Sequence, residues 1–143
     1  RVSKEDDRVT SKLGALHLYQ LAIPSPKPPP GTFDADASAR GAAVFDGKAR
    51  CAQCHVPPLL TEPGQNLHTP QELGIDDFQA NRSPTLMYRT APLGGLWSHS
   101  KGGFYHDGRF ATLDDVVAHY DRQLQLALTD GEKRDLVEYL KSL

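Results

Sequence analysis

The residues best suited to chemistry in this sequence are Cys51, Cys54 and His55, which form the run CAQCH. They include the only two cysteines among the 143 residues of the chain. Two thiols three residues apart could form a redox-active or disulfide-bonded pair, bind zinc, attach a prosthetic group, or meet by chance in a core. The rest of the sequence bears on which of these interpretations holds.

Two of the four interpretations lack supporting features. Redox-active CxxC pairs usually accompany a βαβ pattern, which this sequence does not show. A structural zinc site needs four ligands, and the remaining histidines do not have the H-x3-5-H spacing that would supply them. These histidines are His17, His68, His99, His106 and His119.

The C-x-x-C-H pattern is the signature of covalent haem attachment. Two cysteines three residues apart on a helical turn project to the same side, so both sulfurs can form thioethers with the vinyl groups along one porphyrin edge. The following residue, His55, can then turn its imidazole toward the iron. The pattern therefore predicts one covalently attached haem c per chain, held by Cys51 and Cys54, with His55 as the proximal iron ligand.

Composition limits the other possibilities. Hydrophobic residues make up 38% and charged residues 24% of the chain, which is typical of a soluble domain with one core. The formal net charge of -2 argues against a nucleic-acid partner, and no apolar run is long enough to predict a membrane span. Because haem c is attached outside the bacterial cytoplasm, a periplasmic or extracellular location is expected.

Several segments have clear helical signals. Residues 8–23 form an amphipathic helical pattern, and the proline-rich run 24–31 predicts an extended strap or linker. A second helix is expected after Asp34 or Asp36 and should end at Asp46-Gly47. Gly41 in its middle predicts a close crossing by another element.

Two helices are predicted at the end of the chain, after a long irregular stretch from 56 to 111. Thr112 is the expected N-cap of the first, and Thr129 with Glu132 has capping-box spacing in the second. The apolar stripe of the second comprises Leu136, Val137, Leu140 and Leu143. A structureless stretch as long as 56–111 is typical of a segment that is functional or wraps a ligand.

The sequence resembles known cytochromes in several of its motifs. ARGAAVF and DLVEYLKSL are similar to the first and last helices of cytochrome c domains. From about residue 31 to the end, four runs resemble, in order and spacing, the C-terminal haem domain of the bacterial dihaem cytochrome c peroxidase family, which includes the enzyme that matures methylamine dehydrogenase. These runs are CAQCHVPPLL, YRTAPLGGLW, FYHDGRFATLDDVVAHYD and LTDGEKRDLVEYL.

The resemblance implies a fold and a division of the chain. The fold would be all-α and cytochrome c-like, with long irregular loops wrapped around one covalently bound haem. Residues 1–30 would form an N-terminal helix and a proline-rich strap, and residues 31–143 a monohaem cytochrome c domain.

The resemblance also implies a function. In the family, the C-terminal domain carries the electron-transfer haem and the N-terminal domain the peroxidatic one. Because this sequence has a single CxxCH, it predicts a monohaem c-type cytochrome that transfers single electrons between redox protein partners. The alternative is a peroxidase-like oxidoreductase domain that acts on peroxide together with a second haem domain.

The iron ligand opposite His55 has three candidates. Met87 is the only methionine and would give the common His/Met pair. The family has its axial ligand fourteen residues after the histidine of the H-D-G motif, which is His106 here, and this position is Tyr120. The methylamine dehydrogenase maturation enzyme resembles this chain in having tyrosine there. His119 is the third candidate, although helical geometry puts Tyr120 on the apolar face and His119 on the polar one.

Other residues follow from the match with less detail. Pro58 stands where the family has a proline after the haem histidine, and its neighbourhood should offer a carbonyl to the free imidazole nitrogen. His106 and Asp107 would form a polar pair near the haem or stabilise a turn at Gly108. Three arginines could pair with haem propionates, and Trp97 could line the pocket or fill core. The arginines are Arg82, Arg89 and Arg109.

Overall fold

The protein is described here from a computed structural model, which covers residues 7–62, 66–99 and 101–143. Within these ranges it is helical, and strand-like pairing is limited to isolated bridges at His68–Tyr88 and Phe104–Phe110. The α-helices are α1 (Leu13–Ala22), α2 (Ala35–Asp46), α3 (Pro70–Leu73), α4 (Leu113–Gln123) and α5 (Asp130–Ser142). Short 3-10 helices lie at Thr10–Lys12, Cys51–Gln53, Ala80–Arg82 and Leu96–Ser98. The predicted all-α class is confirmed for the described residues.

The helix starts follow the capping signals in the sequence. The carboxylate of Asp34 accepts the backbone N–H of Ala37 at 2.9 Å and caps α2, which ends at Asp46 as predicted. Thr112 caps α4, and Thr129 caps α5 through a full capping box with Glu132. Local side-chain chemistry therefore determines where the three main helices begin.

Helices α2 and α5 cross closely at Gly41, as its position predicts. A Cβ atom at Gly41 would overlap the backbone carbonyl of Asp135 and lie 2.8 Å from Cβ of Tyr139. Next to the crossing, the guanidinium of Arg40 donates two hydrogen bonds of 2.8 Å to the Asp135 carboxylate. Only glycine lets the two backbones approach this far.

The core lies where α2, α4 and α5 meet. Phe45 is fully buried and packs edge-on against Tyr139, with ring centroids 5.1 Å apart. The buried cluster around it consists of Phe45, Ala49, Val117, Leu126, Leu128, Leu136, Val137 and Leu140. Cys51 and Leu60 pack against this cluster from outside, so the CAQCH run rests directly on the core.

The N-terminal helix α1 differs from the other α-helices in its exposure to solvent. Helix α1 has no buried residue, and its large apolar side chains, such as Leu18 at 70% exposure, face outward. The proline-rich strap, residues 24–31, is joined to the long loop because the indole N–H of Trp97 donates to the carbonyl of Pro26 at 2.9 Å. Trp97 thus contacts the strap. No helix in the described ranges is long and apolar enough to cross a membrane.

Candidate functional site

The CAQCH run forms a compact turn directly after α2. Cys51–Gln53 is a 3-10 helix entered through Arg50, whose backbone is left-handed at φ 55°. The N–H groups of Cys54 and His55 both donate to the carbonyl of Cys51, at 3.2 and 2.9 Å. Side chains three residues apart on a 3-10 helix are eclipsed, so the two sulfurs lie on the same side of the turn.

The imidazole of His55 is held through its Nδ1 atom. Nδ1 lies 3.1 Å from the backbone carbonyl of Leu60, which leaves Nε2 as the nitrogen able to bind a metal. Leu60 lies two residues after Pro58 and has a left-handed φ of 53°, which aims its carbonyl back at the ring. The other face of the ring is near Phe45, with centroids 6.4 Å apart.

The ionisation of these three residues suits covalent attachment better than thiolate chemistry. Burial raises the pKa of the Cys51 thiol to about 11, and burial followed by the charges of Glu62 and Glu72 raises the pKa of Cys54. Nucleophilic and zinc-binding cysteines need the opposite shift. Burial also lowers the pKa of His55, although the Leu60 and Ala91 carbonyls oppose it, so the imidazole is neutral and able to ligate.

Tyr120, on α4, lies close to the cysteine turn. Burial is the main cause that raises the pKa of its phenol, a hydrogen bond from Tyr105 opposes this shift, and the charged forms of Cys54 and Cys51 would add to it. Tyr105 lies beside it, with ring centroids 6.4 Å apart. Burial also raises the pKa of Tyr105, followed by its interaction with Tyr120, so both phenols keep their protons at neutral pH.

The other two candidates for the distal ligand are placed differently. Met87 is 37% exposed and follows Leu86, whose backbone is left-handed at φ 57°. His119 is partly buried and not a solvated residue of the polar face, because its Nε2–H donates to the carbonyl of Leu73 at 2.7 Å. This bond removes the Nε2 atom of His119 from metal binding.

The polar residues near the end of the long loop pair with one another and with Asp76. His106 lies 3.3 Å from the carboxylate of Asp76, and the guanidinium of Arg109 bonds both Asp76 and Asp107. Asp107 also accepts the backbone N–H of Arg109 at 3.2 Å, which stabilises the turn at Gly108. Asp107 thus serves the turn, and His106 pairs with Asp76 instead of Asp107.

The three arginines differ in their partners. The guanidinium of Arg82 lies 3.6 Å above the ring of Phe78 and donates to its carbonyl, and Arg109 is engaged as described. Arg89 is exposed, and within the described ranges it has no carboxylate partner. Arg89 is therefore the arginine most available to an anionic ligand.

One polar group of the site was not predicted from the sequence. The carboxylate of Glu62, 6% exposed, accepts hydrogen bonds from Thr90 at 2.6 Å, from His68 at 2.6 Å and from Asn66 at 2.9 Å. The hydroxyl of Thr90 and the ring of His68 lower its pKa to about 2. Glu62 and His68 lie with Cys54 within 4.8 Å of one another, but three ligands whose carboxylate already has three donors do not make a zinc site. Nothing in the spacing of these residues signals their contact.

The residues present fit a haem c. Two cysteines with raised thiol pKa values lie three residues apart on one turn, the neutral His55 is bonded through Nδ1, and Tyr120 interacts electrostatically with both cysteines. The hydroxyl of Tyr105 is buried and makes no hydrogen bond of ordinary geometry among the described residues, as expected of a site built for a further group.

No protein-family model matches the chain, but its relatives define its class. The chain is related to the c-type haem proteins of the dihaem cytochrome c peroxidase family. It is 33% identical over 126 residues to the methylamine utilization protein MauG of Methylorubrum extorquens, an alignment that covers 76% of this chain and 35% of MauG. It is 27% identical to the cytochrome-c peroxidase IdrP1 of Denitromonas iodatirespirans, over 95% of this chain and 50% of that protein.

A solved structure supports the fold. Hydrazine synthase of Kuenenia stuttgartiensis matches with a TM-score of 0.51 and 23% identity, over 94% of this chain and 55% of that one. At this identity the likeness concerns the fold alone. The chain spans about a third to a half of the length of the curated relatives it matches.

Proposed function

We propose that the chain is a monohaem c-type cytochrome domain that transfers single electrons between redox partners. The observation that carries the proposal is the turn that brings two cysteines three residues apart next to His55, whose Nδ1 is bonded to the Leu60 carbonyl, so that Nε2 is the nitrogen left to bind iron. Haem c supplies, when bound, an iron that alternates between ferric and ferrous states. The haem domain would comprise residues 31–143, and residues 1–30 would form a helix and a strap.

The residues of this chain have separate tasks in that function. Cys51 and Cys54 would hold the haem through two thioether links, and burial raises the pKa of both thiols. His55 binds through Nε2, and the Leu60 carbonyl, in the neighbourhood of Pro58, fixes its tautomer and raises its basicity as a ligand. Arg89, which lacks a carboxylate partner in the described ranges, is suited to a haem propionate.

Tyr120 is the proposed distal ligand. Support comes from its nearness to the cysteine turn and from its position on a helix that packs against the core. Met87 is exposed on a loop, and the Nε2 atom of His119 is committed to Leu73, which makes both weaker rivals. An anionic oxygen ligand favours ferric over ferrous iron, so a low reduction potential is expected.

A second candidate function is a peroxidase-like oxidoreductase domain that works on peroxide together with a second haem domain. The observation that favours it is the similarity to a cytochrome-c peroxidase of which the chain spans only half. This function requires an iron position that peroxide can reach. In either case we propose a periplasmic or extracellular location and a redox protein as partner.

Two measurements test the proposal. Mass spectrometry of the denatured protein, produced with the haem maturation machinery, should show one haem added per chain, and an unmodified mass would contradict it. The ferric absorption spectrum should then stay unchanged after cyanide or peroxide if the chain only relays electrons. A rapid change with peroxide would instead support the peroxidase-like function.

A further inference from the structure

The hydroxyl of Tyr105 is a buried polar atom that makes no hydrogen bond of ordinary geometry among the described residues, although it lies near enough to Tyr120 for the two phenols to interact. A buried phenol that has lost its water without gaining a partner destabilises the fold, so such atoms in native proteins usually mark a function. The ring is surrounded by aromatic neighbours: Phe110 at 5.0 Å, His119 at 6.0 Å and Tyr120 at 6.4 Å between centroids. Of these neighbours, Tyr120 is the one whose side chain carries an oxygen able to accept a hydrogen bond from Tyr105.

The backbone around Tyr105 is conformationally strained and fixes the position of the ring. Tyr105 has a left-handed φ of 71°, which is rare for a bulky residue. The loop is closed by the bridge between Phe104 and Phe110, and a Cβ on Gly103 would lie 2.9 Å from the Phe110 carbonyl. Strained conformations that the surroundings enforce in this way are concentrated at functional sites.

We propose that Tyr105 is a positioning residue of the distal side, whose hydroxyl donates a hydrogen bond to the phenol oxygen of Tyr120 in the haem-loaded protein. This inference rests on the proposed role of Tyr120 as the iron ligand. The ring centroids of Tyr105 and Tyr120 are 6.4 Å apart, which puts the Tyr105 hydroxyl within reach of the Tyr120 side chain. A donated hydrogen bond withdraws electron density from the Tyr120 oxygen, which makes it a weaker donor to ferric iron.

The test compares haem-loaded wild type with Tyr105→Phe, Tyr120→Phe and Tyr88→Phe. Tyr105→Phe removes only the proposed hydrogen bond, so it should lower the midpoint potential and shift the phenolate-to-iron charge-transfer band to longer wavelength. Tyr88→Phe is the matched control, because it also removes a phenol hydroxyl, one that donates to the Asp76 carbonyl at 2.9 Å and not to Tyr120. It should leave both the potential and the band unchanged.

The possible outcomes distinguish a failure of the role inferred for Tyr105 from a failure of the proposed ligation by Tyr120. If Tyr120→Phe removes the charge-transfer band while Tyr105→Phe behaves like wild type, Tyr120 is the ligand and the role of Tyr105 is refuted. If Tyr120→Phe is silent and Tyr105→Phe removes the band, Tyr105 is itself the ligand, and both assignments are wrong. A shift with Tyr105→Phe, a loss with Tyr120→Phe and no change with Tyr88→Phe would support the inference.

Discussion

The carbonyl oxygen of Leu60 lies 3.1 Å from Nδ1 of His55, so a backbone atom orients the imidazole. No side-chain substitution at Leu60 removes this acceptor, provided that the new residue tolerates the left-handed backbone at that position. The nitrogen proposed to meet the iron is therefore selected by the path of the chain immediately after the CAQCH run. This separates the proximal side, which the backbone determines, from the distal side, which depends on individual side chains.

We expect the chain to lose cooperative folding when both cysteines are replaced. The irregular segment 56–111 has little regular structure of its own to stabilise it, and a cofactor bound only by the native state adds directly to stability. Cys51→Ala combined with Cys54→Ala should therefore give a broad thermal transition by circular dichroism and low amide protection in hydrogen exchange. A cooperative melt close to that of wild type would contradict this expectation.

Substitution at the distal position should change the ferric spectrum in a residue-specific way. Tyr120→Phe should open the iron to cyanide and raise the midpoint potential, because an anionic oxygen no longer stabilises ferric iron. Met87→Leu is the paired variant and should have almost no effect, since Met87 is on an exposed loop. Ferric electron paramagnetic resonance separates tyrosine, methionine and histidine ligation. A silent Tyr120→Phe and a spectral loss with Met87→Leu would establish the ordinary His/Met cytochrome.

Gly41→Ala should destabilise the protein by about 3 kcal/mol, since the new methyl group meets a backbone carbonyl that cannot move aside. Gly14→Ala is a matched helical control, because a Cβ there has no neighbour within 4 Å. That control should be neutral or slightly stabilising, in line with helix propensity. Urea unfolding of the two haem-loaded variants measures both effects. Equal stabilities would mean that the crossing of α2 and α5 is wider than described.

The free energy of unfolding should decrease at acidic pH because Glu62 becomes protonated. The pKa of this carboxyl is about 2 in the fold and near the model-compound value of 4.5 when unfolded, so its contribution is complete above pH 4.5. It is lost as the pH falls from 4.5 toward 2, and it amounts to on the order of 2 kcal/mol. Glu62→Gln removes the charge at similar size, so wild type and variant should converge in melting temperature at low pH. A constant difference between them across this range would rule out the effect.

The helix boundaries could be predicted from the sequence because they depend on local chemistry. Asp34, Thr112 and Thr129 cap their helices through side chains that bond backbone only three residues away. Gly41 could be interpreted because a glycine within a helix has few reasons other than a close approach. The CAQCH turn could be predicted for the same reason, since the residues proposed to hold the haem lie within five consecutive positions.

The distal side could not be predicted in the same way, because its contacts join distant parts of the chain. His119 was expected on the polar face, but α3 brings the Leu73 carbonyl to its ring from 46 residues away. Leu124 directly follows the end of α4 at Gln123 and is 38% exposed, although the helical period would put it on the same face as Tyr120. The pairing of Glu62 with Thr90 spans 28 residues of irregular chain, for which no periodic pattern exists. Tyr105 is adjacent to the HDG run, which is the one signal that could have pointed to it.

Because Trp97 contacts Pro26, its intrinsic fluorescence reports on the position of the proline-rich strap. Trp97 is the only tryptophan of the chain, so its emission comes from a single place, the junction of strap and loop. Release of the strap would expose the indole to water and shift its emission to longer wavelength. An attached haem would absorb the emitted energy and dim the signal. Wavelength therefore follows the strap, and intensity follows the presence of the haem, in one recording from unlabelled protein.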